Sequence, residues 1–397
     1  MEQLAIFGGT PVRQRPIGYG RQCIEQDDID AVVETLKSDY LTCGPKITEV
    51  EQKLCQITGA RYAVVVSNGT AALHVAAMAA GFGEGDEVIV SSITFAASSN
   101  CVLYCGAKPV FADIRPDTYN IDPDSIRKLI TPKTRAVIAV DFTGQAVELD
   151  EIKAICKEHE LLLIEDAAHS IGTRYKGQPV GSIADMTCFS FHPVKTVTGG
   201  EGGAITTNDE ALYRRLLRLR AHGITRNRDE MEHPTDARWY YEQVELGYNY
   251  RMTDFQAALL ISQLNKLSKF SARRKEIVKK YDEAFSQMPE LVVQREIPES
   301  DTTRHLYILR LNLEKLGCDR RQFFDALYAE NTCPQVHYLP VYWHPYYERS
   351  GYEKGLCPNA EKFYCEVMSI PLYYALTDDE VEDVIRAVKK IVEYYRV

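Results

Sequence analysis

The chain has 397 residues, enough for a large unit plus a smaller one rather than a single small domain. Its apolar and charged fractions (45% and 26%) are those of a folded globular protein. A net charge of −10 argues against nucleic acid as a partner, because phosphates are met by clustered Lys and Arg. No apolar run approaches the roughly 20 residues that cross a bilayer. The start Met1-Glu2-Gln3-Leu4-Ala5 lacks the basic residues and apolar stretch of a secretory signal, so a cytoplasmic protein without a membrane partner is expected. The eleven cysteines are odd in number and form no pair of C-x-x-C motifs, which points to reduced thiols rather than a disulfide framework or a zinc site.

In chain order, the first helix is expected over residues 28–36. There Ile29, Val32, Val33 and Leu36 recur at helical spacing behind a candidate N-cap, Asp27. Short apolar runs at 62–66, 87–90, 109–111, 136–140, 161–164, 186–191 and 203–207 read as strands. Helical patterns fall at 71–80, 149–159 and 209–221. Near-continuous apolar strands separated by helices predict an α/β fold, a mostly parallel sheet covered on both faces. Such sheets bind ligands at the carboxyl ends of their strands, so the residues just after these runs are the candidates. Residues 223–250 are too long for a simple connection. Their aromatic content (Trp239, Tyr240, Tyr241, Tyr248, Tyr250) suggests contact with a ligand or another subunit. A helix over 253–280 then leads into a second unit with one strand at 305–313 and a helix at 320–330. A closing helix keeps Val381, Val384, Ile385, Val388 and Ile391 in helical period. The boundary is placed near residue 265, giving 1–265 and a smaller C-terminal α/β unit, 266–397.

Four segments carry candidate chemistry, and each has two readings. In Cys188-Phe189-Ser190-Phe191-His192-Pro193-Val194-Lys195, a lysine follows a buried strand as the chain turns glycine-rich. Lys195 either faces solvent, or sits where burial disfavours its charge and leaves the amine nucleophilic. In Leu161-Leu162-Leu163-Ile164-Glu165-Asp166-Ala167-Ala168-His169-Ser170, Asp166 either caps a following helix or faces a pyridine nitrogen and keeps it protonated. His169, alone, reads as a packed histidine. Ser67-Asn68-Gly69-Thr70-Ala71-Ala72-Leu73 is either an ordinary strand-to-helix turn or a phosphate cradle at a helix start. It matches no P-loop, and no G-x-G-x-x-G follows a strand, which disfavours nucleoside triphosphates and dinucleotides. Phe95 is either core or a stacking partner for a planar ring. Together the second readings give a phosphate cradle, a stacking ring, a pyridinium partner and a carbonyl-capturing amine. That set suits pyridoxal 5′-phosphate.

Over nearly its whole length the chain resembles the sugar aminotransferases of the DegT/DnrJ/EryC1/StrS group. The resemblance is carried by Leu41-Thr42-Cys43-Gly44-Pro45, Asn68-Gly69-Thr70-Ala71, Glu165-Asp166-Ala167-Ala168-His169-Ser170, Ser190-Phe191-His192-Pro193-Val194-Lys195, Gly247-Tyr248-Asn249-Tyr250-Arg251-Met252-Thr253-Asp254 and Val336-His337-Tyr338-Leu339-Pro340. It implies the type I, aspartate aminotransferase-like fold and a homodimer with shared active sites. By that resemblance Lys195 bonds the cofactor's aldehyde, Asp166 meets the ring nitrogen, His169 lies near the phenolic oxygen and Phe95 stacks on the ring. Gly69, Thr70, Ala71 and Ser190 hold the phosphate, joined by Asn249 of the other subunit, which would explain the long loop. Gly44, Arg251, His337 and Tyr338 are implied on the substrate side, and no metal is implied.

Within the group, Phe191-His192-Pro193-Val194-Lys195, Asp141-Phe142-Thr143-Gly144-Gln145 and His337-Tyr338-Leu339-Pro340-Val341-Tyr342-Trp343-His344-Pro345-Tyr346-Tyr347 resemble the pseudaminic acid branch. This implies amination, with L-glutamate as donor, of C4 of UDP-2-acetamido-2,6-dideoxy-β-L-arabino-hexos-4-ulose. The product is UDP-4-amino-4,6-dideoxy-N-acetyl-β-L-altrosamine. Two departures stand out. Gly69 replaces a common alanine, which is expected to matter little, and Tyr342-Trp343 replaces a His-Leu-like pair, which is expected to add bulk near the sugar. The alternatives are another nucleotide-sugar aminotransferase, such as the UDP-4-amino-4-deoxy-L-arabinose type, and a cofactor-binding regulator without turnover. A regulator would need a DNA-binding or partner module, and no basic helix-turn-helix is visible.

Overall fold

The computed structural model describes residues 2–397. Helix α1 (Gln26–Leu36) opens in a capping box between Glu25 and Asp28, so Glu25, not Asp27, is its N-cap. Its polar side is the one turned inward. Asp28 is fully buried, accepts from Ser262 Oγ (2.6 Å) and Gln263 Nε2 (2.8 Å), and pairs with Lys266 (2.8 Å). Ile29, Val33 and Leu36 of the expected apolar face are instead 47%, 40% and 54% exposed.

Helix α2 (Pro45–Thr58) precedes the alternating region. That region runs β1 (Tyr62–Val66), α3 (Gly69–Ala80), β2 (Glu87–Ser91), α4 (Ala97–Tyr104), β3 (Lys108–Ala112), α5 (Pro123–Leu129), β4 (Thr134–Val140), α6 (Leu149–Glu158) and β5 (Leu162–Asp166). It continues with the short strands β6 (Arg174–Tyr175) and β7 (Gln178–Pro179), then β8 (Met186–Ser190), β9 (Gly203–Thr207) and α7 (Glu210–Leu219). The seven expected strands form one sheet in the order β1-β9-β8-β5-β4-β2-β3. Strands β3, β2, β4, β5 and β8 pair in parallel, while β9 runs antiparallel to both its neighbours. Because side chains alternate along a strand, Ala63 and Val65 enter one core while Val64 and Val66 enter another across the sheet. Val137 and Ala139 against Ala136 and Ile138 do the same. Both faces are thereby covered, as the unbroken apolar runs require.

The 223–250 stretch holds only the two-residue strands β10 (Ile224–Thr225) and β11 (Glu242–Gln243), paired with each other, and one 3-10 turn. The single long helix expected over 253–280 is two, α8 (Asp254–Asn265) and α9 (Leu267–Phe285). Lys266, between them, bonds its N–H back to Gln263, three residues earlier, and its ammonium is tied to Asp27 and Asp28 of α1.

Three antiparallel strands follow where one was expected. These are β12 (Leu291–Val293), β14 (Tyr307–Leu311) and β15 (Val367–Ile370), with β14 central; the two-residue β13 (Ser300–Asp301) joins β6 instead. The outer two are too short for alternation to be legible. Helices α10 (Arg320–Ala329), α11 (Pro345–Arg349), α12 (Pro358–Glu366) and α13 (Asp378–Tyr395) complete the chain. Val381, Val384, Ile385, Val388 and Ile391 of α13 are buried in a core that also takes Leu4 and Ile17 from the amino-terminal segment. Among the described residues, no helix is long and apolar enough to cross a membrane.

Candidate active site

A cavity of about 930 Å³ opens at the carboxyl ends of β1, β4, β5 and β8, where a mostly parallel sheet leaves its crevice. Its walls include Gly69, Thr70, Ala71, Phe95, Asp166, His169, Ser190, Lys195, His337 and Tyr338. Ten residues expected from sequence, spread over 270 positions, thus meet around one space.

On one wall is the start of α3. Asn68 is its N-cap and accepts from the amide of Ala71 (2.8 Å). A helix start presents N–H groups and a positive dipole end to an anion. Gly69 has more importance than expected. A Cβ there would stand 2.8 Å from Cβ and 2.9 Å from Oγ of Ser190, so the end of β8 and the start of α3 touch only because this residue has no side chain. The two segments make one cradle.

Asp166 ends β5 and caps nothing, since the chain goes on in turns rather than a helix. Its Oδ2 accepts from Ser98 Oγ (2.6 Å), and its Oδ1 accepts from the amide of Ala168 (3.1 Å). Burial pushes its carboxyl upward, against the pull of those two donors and of Lys195. Lys195 follows β8 in a turn closed by its own N–H on His192 (2.9 Å), and its side chain lies along the cavity wall rather than in bulk solvent. Burial lowers the amine to about 8, Asp166 pulling the other way. At neutral pH an appreciable fraction of such an amine is unprotonated and nucleophilic.

Around the amine are three imidazoles, of His169, His305 and His337. Burial holds each well below its ordinary range, with the Lys195 charge adding to the effect. The His169 and His305 rings lie 4.5 Å apart, and His169 Nε2 is 3.4 Å from the Tyr338 hydroxyl. His337 bonds Ser369 through Nδ1 (2.7 Å). Phe95 is not core. It is 62% exposed on the cavity side, 6.3 Å from the Tyr338 ring.

Three expected residues, Gly44, Asn249 and Arg251, do not line this cavity in the single chain. Tyr342 and Trp343 also stay away from it, which corrects the expectation of added bulk beside the sugar. Tyr342 is buried against Phe111, and both side chains bond Glu361. Ser98 and His305 escaped the sequence reading. Ser98 sits on a helix without a clear period, and His305 looked like the first residue of a strand.

The family profile of the DegT/DnrJ/EryC1/StrS aminotransferases matches residues 22–389. The chain belongs to that family. As a DegT/DnrJ/EryC1/StrS protein it is a sugar aminotransferase that uses pyridoxal phosphate. It is 41% identical to the spore coat polysaccharide biosynthesis protein SpsC of Bacillus subtilis, over 96% of this chain and 98% of that one. It is 39% identical to the UDP-4-amino-4,6-dideoxy-N-acetyl-beta-L-altrosamine transaminase of Campylobacter jejuni, over 90% and 92%. The structure superimposes on the PLP form of Spr1654, a putative sugar aminotransferase of Streptococcus pneumoniae. That match has a TM-score of 0.89 at 31% identity, covering 96% of this chain and 99% of the other.

The side chains present fit the cofactor of this family. The Gly69–Ser190 cradle suits a phosphate, the buried Asp166 carboxylate a ring nitrogen, and the exposed Phe95 face a planar ring. Nδ1 of buried His169 has no hydrogen-bond partner among the described residues, which leaves it free for a polar group.

Proposed function

We propose that this enzyme moves an amino group from L-glutamate to C4 of a UDP-4-keto-6-deoxy-N-acetylhexosamine, giving UDP-4-amino-4,6-dideoxy-N-acetyl-β-L-altrosamine for pseudaminic acid. The observation that carries the amino-transfer chemistry is the Lys195 amine, lowered to about 8 on the wall of a cavity that also holds Asp166. The choice of sugar is supported by 39% identity, over nine-tenths of both chains, to the Campylobacter jejuni transaminase. A second reading, another nucleotide-sugar aminotransferase, is favoured by the 41% identity to SpsC, whose name points to spore coat polysaccharide.

Pyridoxal phosphate supplies an aldehyde that captures amines and a ring that accepts electrons from the carbon being deprotonated. The chain's own groups do the rest. Nζ of Lys195 would hold the cofactor and, when free, carry a proton between the substrate carbon that bears nitrogen and the cofactor. The Asp166 carboxylate, fixed by Ser98 and the Ala168 amide, holds the ring nitrogen protonated. Thr70, Ala71 and Ser190 would hold the phosphate, with Phe95 and His169 at the ring. His337 and Tyr338 would meet the sugar. The reading takes residues 1–265 as the unit that holds the cofactor and 266–397 as the smaller unit, in a cytoplasmic enzyme.

The active form is read as a homodimer with shared sites. Thr42 bridges Thr253, the Asp254 amide bonds Leu41 (3.0 Å), and the Gly44 amide bonds Asp254 (2.8 Å). The Gly44 segment therefore packs on Thr253 and Asp254, just beyond Arg251, and continues from the exposed Leu36, Tyr40 and Leu41. A second copy seated there brings Asn249, Gly44 and Arg251 to the neighbouring cavity.

Incubation with glutamate and a panel of UDP- and dTDP-4-keto sugars, with product structure by NMR, tests the substrate. Amination of only dTDP sugars, or at a carbon other than C4, refutes the assignment. Lys195→Ala is expected to abolish turnover, and retained turnover excludes the role given to that amine.

A further inference from the structure

We propose that His305 is a positioning residue for the amine of Lys195: its Nε2 lies 3.4 Å from Nζ and accepts a hydrogen bond from that amine whenever it is not bonded elsewhere. The inference rests on the reading of Lys195 as the amine that anchors the cofactor. Among the described residues, His305 is the only hydrogen-bond partner of Nζ. It does not line the cavity, so it acts through the lysine rather than on substrate.

The ring is placed by a converging set of backbone contacts. Its residue donates an amide bond to Thr143 (2.8 Å), and Arg304 before it is held at a φ of 51°. Arg274 of α9, itself buried, donates through one guanidinium nitrogen to the carbonyls of Arg304 (3.4 Å), His305 (3.2 Å) and Leu372 (3.0 Å). Gly144 lets this segment close in. A Cβ at that glycine would stand 3.2 Å from the His305 amide and 2.9 Å from the His169 carbonyl oxygen.

The same surroundings fix the ring's state. Ionisable groups facing the pair are Asp166 at the end of β5, His169 just after it, His337, and Arg274 of α9. Burial, then the charges of Lys195 and Arg274, keep the imidazole neutral. A lysine amine donates, so Nε2 carries the lone pair and Nδ1 the proton. That Nδ1 has no partner among the described residues, which leaves the Lys195 contact as the ring's one polar attachment. Without this acceptor, the attraction of a flexible, charged lysine is to Asp166, whose carboxylate is needed at the ring nitrogen.

The test reads the amine itself. Holoprotein is treated with glutamate to free Lys195, then acetylated with trace acetic anhydride across pH, and modification of Lys195 is followed by mass spectrometry. The wild-type midpoint is expected below the ordinary lysine range, as burial dictates. In His305→Leu it should fall by about one pH unit, because a bond stabilising the charged amine is gone. His305→Gln, which keeps an acceptor at that reach, should return it to within a few tenths. If His305→Leu fails to fold, His305→Asn, whose amide is too short, takes its place with the same expected fall. An unmoved midpoint with borohydride label still on Lys195 overturns the inference alone, as does an equal fall in His305→Gln. Label on another residue overturns the reading of Lys195 and this inference with it.

Discussion

Asp166 can be tested without touching the lysine. Its carboxylate is buried and held by two donors, so Asp166→Asn keeps the shape and removes the charge. Loss of one charge-assisted bond is worth about 1.5–3 kcal/mol, or on the order of 10–100-fold in rate. Single-turnover reaction with glutamate should slow by that factor while visible absorbance still reports bound cofactor; an unchanged rate rejects the pyridinium role. Ser98→Ala acts one bond further out. Its hydroxyl pulls the Asp166 carboxyl down, so removing it lets that carboxyl rise, and the acid limb of the rate profile should move to higher pH. That Lys195 and Asp166 would reach the crevice was legible because each stands at or just beyond the end of a largely apolar strand, Asp166 closing β5 and Lys195 five residues after β8. Ser98 and His305 were not, since nothing in residue type or spacing reveals a contact made across 68 or 110 positions.

At the scale of elements, period and length decided what could be read. All seven strands of the main sheet were visible as apolar runs, and α13 as a strict helical stripe. Helix α2 was hidden by its polar content, α4 by an apolar stretch without period, and α5 by its seven residues. The break at Lys266 depends on a tertiary contact. Asp28, fully buried, meets Lys266 at 2.8 Å and accepts from Ser262 and Gln263; without it Asp27 still pairs with the ammonium, but those two donors lose their acceptor. Asp28→Ala should therefore cost about 1–3 kcal/mol in urea unfolding, above a surface substitution. Gly144 poses a different case. It sits at a φ of 95°, and a Cβ would press on the backbones of His169 and His305, so Gly144→Ala should cost about 1–3 kcal/mol. It should also displace both imidazoles together.

At the scale of the whole molecule, the first helix stands where expected but leaves its apolar stripe uncovered. A stripe of Ile29, Val33 and Leu36 at helical spacing signals a buried face, and in one chain it is open, next to Tyr40 and Leu41. Sequence periodicity reports that a face is covered but not by which chain. Gly44, Asn249 and Arg251 are the expected site residues that do not line the cavity of their own chain, and Gly44 lies in the segment that follows the stripe. Both facts have one solution if a second copy covers the stripe and receives those residues. Introducing like charges on it, with Val33→Glu and Leu36→Glu together, should give a monomer by sedimentation with an unchanged circular dichroism spectrum. The monomer should lose turnover although every group on its own cavity wall is intact. Mixing separately inactive Lys195→Ala and Asn249→Ala chains should restore activity to at most about one quarter of wild type. Random pairing puts half the dimers in the mixed form, and each of those has one cavity with both wild-type residues. A fully active monomer, or no rescue from the mixture, would show that each chain builds its site alone.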